Sequence, residues 1–345
     1  MHFNNNDNAG ASDDRFFKVR PVFDIFIKNC KTLPETPRQS VDEVMVAYKG
    51  TRAGNLRQYI STKPDKWGFK LFCRASSDGI IHDIIMYQGT TTFNNHGMKL
   101  TDLENKMNLG SKLVVALVKT LKNPELSTVY ADNYFSSLDL ASYLKQKFAC
   151  GYTGTIRENR IGLPNLRSTK EMNRSSVPRG TIDFKSKNGI VVVRWKDNKV
   201  VTLLSTDCGI HPISSIQRYD KSSRAKKGVQ CPHVIQKYNA NMGGIDKSDM
   251  LTHLYKSPLR ARRWYLHLFG YIVDLAVCNA WLLYKRDCVS LCKTTMPLKN
   301  FRLEISSFAR SKRPPTFRAA RYSLAGASRA NRMQHQPLDD VQFFL

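Results

Sequence analysis

Four aspartates of the 345-residue chain occupy positions that could support chemistry. Asp42 interrupts an apolar, β-branched run, and Asp132 directly follows a second apolar run, Val129–Ala131. Asp246 begins a helical pattern after two glycines, and Asp249 lies one turn later on the same helix face. Carboxylates at strand ends and at a helix start can meet at one edge of a sheet, where a cation must neutralise them. Such oxygen ligands suit Mg²⁺ or Mn²⁺, and two of these ions can activate a water or a 3′-hydroxyl for phosphoryl transfer.

Each of these carboxylates, taken alone, also has a structural interpretation. Asp246 could cap a helix, and Asp132 could belong to a turn. Asp42 or its neighbour Glu43 could face solvent from a strand. The joint order of a strand carboxylate, a strand-end carboxylate and a helix carboxylate, in a strongly basic chain, favours the catalytic interpretation of Asp42, Asp132 and Asp246.

The charge of the chain indicates its class of partner. It has 54 Lys and Arg against 28 Asp and Glu, giving a net charge of +26 and a pI near 9.8. Such an excess predicts a polyanionic partner, most commonly nucleic acid. The mean hydropathy of −0.40 excludes a polytopic membrane protein. Residues 265–284 are long enough to span a bilayer but contain Asp274, so we predict a buried core helix there.

The apolar periodicity predicts the elements that position these residues. Alternating or β-branched runs indicate strands at 40–48, 67–75, 80–88, 127–131 and 151–156. Helical spacing indicates helices at 111–122, 138–148, 246–255 and 262–287. An Asn-Gly turn at 188–189 predicts an antiparallel meander of strands 182–187, 190–195 and 199–205, inserted into the larger α/β unit.

The eight cysteines carry no recognisable metal or disulfide pattern. They are scattered, no CxxC pair occurs, and Cys288 and Cys292 form an isolated CxxxC. We therefore predict reduced, mostly buried thiols of an intracellular protein, with a zinc site as the lesser alternative.

An ordered set of short motifs runs through most of the chain. The motifs are 40–43 (SVDE), 63–70 (KPDKWGFK), 131–137 (ADNYFSS), 154–160 (GTIRENR), 241–249 (NMGGIDKSD) and the helix start at 262–264 (RRW). With these motifs in this order, residues 15–290 closely resemble the transposase domain of piggyBac-type elements and the transposase-derived proteins of animal genomes.

The resemblance implies a fold and an activity. The fold would be α/β, with an RNase H-like mixed-sheet catalytic core and an inserted β-rich subdomain. Asp42, Asp132 and Asp246 match the acidic triad, and with Asp249 they would bind two Mg²⁺ or Mn²⁺ ions. The activity would be DNA transposition at TTAA sites by strand nicking, hairpin formation and joining. DNA would be the partner, a homodimer is a further expectation, no membrane is expected, and the location would be nuclear.

The long separation of Asp132 from Asp246 fits the meander as an insertion and gives the domain boundaries. We expect an N-terminal remnant with a short helix, a core in two parts, the insertion and a basic tail. These segments are 1–30 for the remnant, 31–157 and 233–290 for the core, 158–232 for the insertion and 291–345 for the tail. The tail lacks sustained periodicity from Met296, so we expect most of it to be disordered, either holding phosphates or simply solvated.

Basic and aromatic residues fall where DNA would need them. Arg and Lys would neutralise phosphates with salt-dependent affinity, and Trp264 could stack on a base. The alternatives are a solvated basic face and, for Trp264, core packing; Trp67 is predicted to be a core residue. The predicted DNA-binding residues are Arg157, Arg160, Lys226, Lys227, Arg262, Arg263 and Trp264.

Two departures from the family pattern bear on activity. Only 41 residues precede Asp42, where family members carry a long region, and no cysteine follows Cys292, where many carry a zinc module. We therefore expect a truncated copy or a domesticated relative. Its alternative function is that of a non-catalytic DNA-binding protein derived from a transposase.

Overall fold

A mixed sheet forms the centre of the chain and defines the position of the candidate site. The computed structural model describes residues 3–4, 13–161, 166–221 and 223–311. The strands are β1 (Arg38–Ala47), β2 (Gln58–Tyr59), β3 (Trp67–Ser76), β4 (Ile81–Met86), β5 (Thr128–Ala131), β6 (Gly151–Thr155), β7 (Ile182–Lys187), β8 (Ile190–Lys196), β9 (Val200–Ser205), β10 (Ser214–Asp220) and β11 (Ala225–Cys231). The α-helices are α1 (Arg20–Thr32), α2 (Thr92–Asn95), α3 (Asp102–Lys106), α4 (Leu109–Val118), α5 (Leu138–Phe148), α6 (Thr169–Met172), α7 (His233–Asn241), α8 (Gly244–Leu254), α9 (Trp264–Ser290) and α10 (Leu298–Ser311).

Within the described residues, nine strands form one sheet in the order β2-β3-β1-β5-β6-β9-β8-β7, with β4 also paired to β3. β5 pairs in parallel with both β1 and β6, whereas β3 runs antiparallel to β1 and β9 runs antiparallel to β6. The α/β class and the mixed sheet expected from the sequence are confirmed.

The two faces of β1 contribute to different hydrophobic cores. A first core joins α1, the start of α9 and Ile245 of α8 to one face, including Val44 and Val46. A second core joins α4 and α5 to the other face, including Val41. Side chains alternate along a strand, so even-numbered residues of β1 share the face that α8 covers.

The meander is an extension of the central sheet, because β9 pairs with β6. A third core lies between the meander, β11 and α7, and includes Trp195 and Cys231. The hairpin β10–β11 was not predicted from the sequence. Its strands are exposed at most positions, and only a few apolar residues such as Ile216 and Val229 alternate with the polar ones.

Helix α9 is long and apolar enough to cross a membrane by length and composition, and half of its most apolar window is buried inside the protein. Its first half supplies Leu268, Ile272 and Leu275 to the first core. The buried Asp274 accepts hydrogen bonds from the Ser257 amide at 2.9 Å and from the Ser257 hydroxyl at 2.8 Å. This is the packing of a core helix that compensates its one buried acid.

The chain divides into two compact units, Met1–Leu275 and Ala276–Leu345. In the second unit, the Trp281 indole donates to the Met296 carbonyl at 2.8 Å, and the Tyr284 and Phe301 rings stack with centroids 5.5 Å apart. Helix α10 corrects the expectation that no regular element follows Met296. Its apolar residues recur at helical spacing but are separated by polar and basic ones, and the rest of the predicted disordered tail, 312–345, lies outside the described residues.

Candidate active site

The pairing of β1 with β5 brings Asp42 and Asp132 together. Val41 is the parallel partner of Ala131, so the two aspartates follow side by side at the next position of neighbouring strands. Parallel neighbours lie roughly 5 Å apart. Val41 and Ala131 belong to the second core. Asp42 in β1 therefore points to the opposite face, the one that α8 covers, and Asp132 stands beside it at the end of β5.

Both carboxyls carry an electrostatic penalty. Burial, together with the charges of Glu43 and Asp132, raises the pKa of Asp42 to about 8, although the Glu43 amide donates a hydrogen bond to Asp42 Oδ1 at 2.8 Å. Burial likewise raises the pKa of Asp132, although the Tyr134 amide donates to its Oδ1 at 2.8 Å. Two partly buried acids of like charge, each with a raised pKa, form a pair that favours a proton or a cation.

Two lysines that the sequence analysis did not assign to the site lie beside this pair. Lys63 Nζ lies 3.2 Å from the Glu43 carbonyl oxygen and 3.8 Å from its Oε1. Lys70 Nζ lies 4.6 Å from the Tyr134 ring centroid; burial lowers the pKa of Lys70, and Glu43 is the main charge that opposes this. The signal was present in the KPDKWGFK motif, which begins and ends on these lysines, but spacing alone could not show where they point.

Asp246 lies on α8, which packs closely against β1 and β3. A Cβ on Gly244 would lie 2.4 Å from the Ser76 carbonyl oxygen, so only glycine fits this approach. Asp246 itself is exposed. Burial, together with the charges of Asp132, Asp42 and Asp246, raises the pKa of Tyr238 to about 12. The Tyr238 phenol is therefore a common neighbour of the three predicted triad residues.

Asp249 has a different partner. Its Oδ1 lies 3.3 Å from His253 Nδ1, one turn along α8, and His253 Nε2 lies 3.7 Å from Asp65 Oδ2. The Asp249 carboxylate and the Asp249 backbone carbonyl, which lies 2.9 Å from His253 Nδ1, raise the pKa of His253 to about 9. Asp249 is therefore paired with a cationic imidazole, although its charge still acts on Cys73, the strand partner of Asp42.

The carboxylates partly fit a divalent ion. Across the part of the chain that the structure describes, no group of three His, Cys, Asp or Glu side chains lies close enough together to hold a metal. The adjacent Asp42 and Asp132 are nevertheless hard oxygen donors whose mutual repulsion a divalent cation would relieve. The fit therefore concerns this pair, with Asp246 on the neighbouring helix as the third carboxylate.

Arg157 and Arg160 contact the segment that follows Asp132. Arg157 Nε donates to Asn133 Oδ1 at 3.0 Å. Arg160 Nη1 donates to the carbonyls of Asn133, Tyr134 and Ser136 at 3.0, 3.3 and 3.1 Å. Arg160 thus holds the shape of the 133–136 segment, whereas the exposed Arg157 leaves most of its guanidinium accessible.

The other predicted DNA-binding cations lie on separate elements. Lys226 and Lys227 are exposed on β11, where Lys227 pairs with Asp220 at 2.5 Å. Arg262 and Arg263 are exposed just before α9, and Arg263 Nη1 donates to the Tyr265 hydroxyl at 3.2 Å. The contacts of Lys227 with Asp220 and of Arg263 with Tyr265 do not involve Asp42 or Asp132.

Trp264 takes the core-packing alternative given for it, whereas Trp67 does not lie in a core. Trp264 is half-buried and packs on the first core, with ring centroids 5.6 Å from Phe69 and 6.2 Å from Phe16. Trp67, predicted to be a core residue, is 41% exposed. The prediction for Trp67 was wrong because β3 extends beyond β1 at this end and pairs there with the short, exposed β2.

The sequence matches a known family of transposases. A family model described as Transposase IS4 matches residues 1–281. The chain belongs to this IS4/piggyBac-type transposase family, which confirms the resemblance drawn from the motifs.

Individual relatives give the same picture. The human PiggyBac transposable element-derived protein 3 is 32% identical over 286 residues, covering 81% of this chain and 46% of that protein. The human PiggyBac transposable element-derived protein 2 is 31% identical over 295 residues, covering 84% of this chain and 47% of that protein. This chain therefore spans about half the length of the curated relatives it matches.

A solved structure supports the fold. The cryo-EM structure of a piggyBac transposase synaptic complex with hairpin DNA matches with a TM-score of 0.69 and 24% identity, covering 90% of this chain and 61% of that one. The likeness shows the fold and agrees with an RNase H-like core.

Proposed function

We propose that the chain cleaves and joins DNA strands with the help of divalent metal ions. The observation that carries the proposal is the parallel register that sets Asp42 beside Asp132 on neighbouring strands. Uncompensated carboxylates are costly to fold, and a site that binds a cation gains from keeping them.

In this proposal Asp42 and Asp132 hold the first Mg²⁺ or Mn²⁺, and Asp246 completes the set from α8. A second ion, and a role for Asp249 once released from His253, belong to the same proposal. The bound ions would activate the attacking hydroxyl and stabilise the leaving oxygen. The protein's own part is to hold the carboxylates in register and to fix the 133–136 segment through Arg160.

The partners follow from charge and family. A net charge of +26 favours a polyanion, and the matched piggyBac transposase structure is a complex with hairpin DNA. DNA with TTAA target sites, a homodimeric assembly and a nuclear location are parts of this proposal.

A second function remains a candidate, that of a non-catalytic DNA-binding protein. One observation favours it: among the described residues no three acidic or imidazole side chains converge closely enough for a metal, and Asp246 is exposed. In that case the basic surface would bind DNA and the aspartates would be dispensable.

Calorimetric titration of Mn²⁺ into the purified chain, followed by cleavage of TTAA-flanked duplex, tests the proposal. We expect Asp42→Asn and Asp132→Asn to lose Mn²⁺ binding and to reduce cleavage at least about 100-fold. Asp287→Asn, which changes an exposed acid on α9, serves as the matched control and should behave as wild type. Undiminished cleavage by a folded Asp132→Asn variant would refute the catalytic assignment, and DNA binding without cleavage by wild type would favour the second function.

A further inference from the structure

The hairpin formed by β2 and β3 exposes two aromatic rings side by side. Tyr59 and Trp67 are directly opposite in the strand pairing, with ring centroids 4.8 Å apart and planes tilted by 51°. They are 53% and 41% exposed. Exposed large aromatic residues that adjoin one another are uncommon on a monomer surface and indicate a binding surface.

A fixed guanidinium completes the arrangement. The Arg57 Cζ lies 4.2 Å from the Trp67 ring centroid. Its Nη1 donates to the carbonyls of Lys49 and Gly50 at 3.2 and 3.0 Å, which holds the guanidinium plane in place. Arg57, Tyr59 and Trp67 therefore form an ordered aromatic–guanidinium stack, which would lose little side-chain entropy when a flat ligand binds.

The surroundings of the stack are cationic. Residues 49–67 contain five basic side chains, whereas Asp65 is their only acid and faces His253 at 3.7 Å. Three of the cations are exposed and free of the ion pairs found among the described residues, so they can neutralise phosphates. These three are Lys49, Arg52 and Lys66.

The same hairpin reaches the candidate active site. Its loop carries Lys63, whose Nζ lies 3.2 Å from the carbonyl oxygen of Glu43, the residue next to Asp42. The Tyr48 amide donates to the Trp67 carbonyl at 3.0 Å and ties the base of the hairpin to the end of β1. Trp67 lies six residues along β3 from Cys73, the strand partner of Asp42. A DNA strand that runs from the stack past Lys63 would therefore reach Asp42 after roughly 20 Å.

We propose that the aromatic–guanidinium stack holds an unpaired base of a DNA strand that leads to the candidate active site, further along the β1–β3 pairing. The inference rests on the proposed function, because it takes DNA as the substrate. In a duplex each base face is covered by its neighbours, so aromatic side chains stack on bases that are single-stranded, frayed or displaced. The ligand is thus a single-stranded segment next to a duplex, with its phosphates on the surrounding lysines and Arg52.

Fluorescence anisotropy in EDTA tests this inference on the full chain, without requiring cleavage. The probes are a labelled duplex of roughly 20 base pairs, either blunt or with a single-stranded extension of about four nucleotides. Trp67→Leu and Tyr59→Leu remove an aromatic face but keep apolar bulk, so that β2 and β3 can still pair. Tyr219→Leu is the matched control, since Tyr219 is 58% exposed on the separate β10–β11 hairpin.

We expect wild type to prefer the extended duplex, and Trp67→Leu to weaken that binding by roughly tenfold while blunt-duplex affinity changes less than about twofold. Tyr59→Leu should act in the same direction, and Tyr219→Leu should have no effect. Equal losses on both probes, no loss on either, or a wild type without preference for the extension would each overturn the inference. Thermal unfolding of each variant shows that it is folded, and if Trp67→Leu alone fails to fold, Tyr59→Leu decides.

The outcome is separable from that of the proposed function. The catalytic proposal is tested by metal-dependent DNA cleavage, which wild type should show and Asp132→Asn should lack. The proposal for the stack is tested by comparing the affinities for the extended and the blunt duplex in EDTA. If the chain cleaves DNA but binds both probes equally well, only the proposal for the stack is refuted. If the chain never cleaves DNA but Trp67→Leu weakens binding to the extended duplex, only the catalytic proposal is refuted.

Discussion

Two groups of buried charges in the same sheet behave in opposite ways. Toward one end of β3, Arg74 is fully buried, and its Nη1 lies 2.8 Å from Glu35 Oε1 and 3.0 Å from Gln39 Oε1. Nearby, the buried Asp83 accepts the Thr120 hydroxyl at 2.6 Å and faces Lys31 at 3.4 Å. Every charge in this group has an opposite charge or a hydrogen-bond partner.

At the Asp42–Asp132 pair the compensation is incomplete, although each aspartate accepts one backbone hydrogen bond. The two acids are neighbours, Glu43 adds a third negative charge, and burial raises the pKa of both aspartates. Lys63 contacts Glu43, and its charge lowers the pKa of both aspartates, but less than burial raises them. The comparison teaches that compensated buried charges maintain the fold, whereas an incompletely compensated cluster costs stability and is typical of functional sites.

The largest expected change in stability comes from the compensated group of charges around Arg74. Arg74→Met would leave Glu35 buried without its cation, and we expect the free energy of unfolding to fall by about 3–5 kcal/mol. Urea unfolding of the metal-free chain measures it. Lys285→Met, a change in the second unit where the Lys285 ammonium lies over the Trp281 ring, is the control and should cost under about 1 kcal/mol. A small loss for Arg74→Met would remove the distinction between the two groups.

Removing a charge from the Asp42–Asp132 pair should instead raise the free energy of unfolding. The ordinary pKa of Asp42 is 3.8 and its pKa in the folded chain is about 8, so between these values the folded state binds more protons than the unfolded state. Stability must then fall as pH rises through this window. We expect Asp42→Asn to be the more stable protein by roughly 2–3 kcal/mol near pH 8.5 in EDTA, and similar to wild type near pH 4.

Thermal unfolding at both pH values, with and without Mg²⁺, checks this expectation. Near pH 8.5, saturating Mg²⁺ should make wild type more stable than Asp42→Asn, because the ion should stabilise wild type alone. Parallel pH profiles for the two proteins would show that Asp42 is already compensated.

Arg160 sharpens the comparison, because it is a cation at the active-site edge that binds only backbone carbonyls. Arg160→Met should cost about 2 kcal/mol of stability, since three carbonyls lose a charged donor. Arg157→Met, with a single contact to Asn133, is the matched control and should cost under about 1 kcal/mol. Equal, negligible losses in guanidinium chloride unfolding would mean that Arg160 serves only a ligand.

The smallest effect is expected from Lys63, which partly offsets Glu43 near the surface. Lys63→Met should lower stability at neutral pH by less than about 1 kcal/mol, because the 3.8 Å ion pair is partly exposed. It should also raise the pKa of Asp42 further, which carboxyl titration by NMR would detect. An unchanged Asp42 titration would show that Lys63 does not act on the pair.

The sequence was informative where local pattern decides the structure. Helix α5 and the meander hairpin at Asn188-Gly189 fall at the expected residues, because each has a strong local signal. The sequence also indicated that Asp42 and Asp132 could meet at one edge of a sheet, but the parallel register that sets them side by side came from the structure. Asp246 was placed on the correct helix, but its exposure depends on how α8 packs on β1 and β3.

Other features depend on contacts that no single segment encodes. The role of Arg160 comes from carbonyls 24 to 27 residues away. The exposure of Trp67 comes from the end of β3 that extends one residue past its pairing with β1. The contact of Asp249 with His253 competes with the metal-ligand role that residue type alone suggests. In each case a tertiary contact determined the outcome.

The parallel pairing of β1 with β5 also determines which inherited lesions the gene can tolerate. Loss or gain of one codon inside β1, before Asp42, would turn that side chain to the opposite face while leaving Asp132 where it is. The same lesion in the connection between β1 and β3, residues 48–66, would leave both aspartates in place. For the proposed catalysis, a single-codon insertion or deletion in β1 before Asp42 would therefore be equivalent to loss of the aspartate itself.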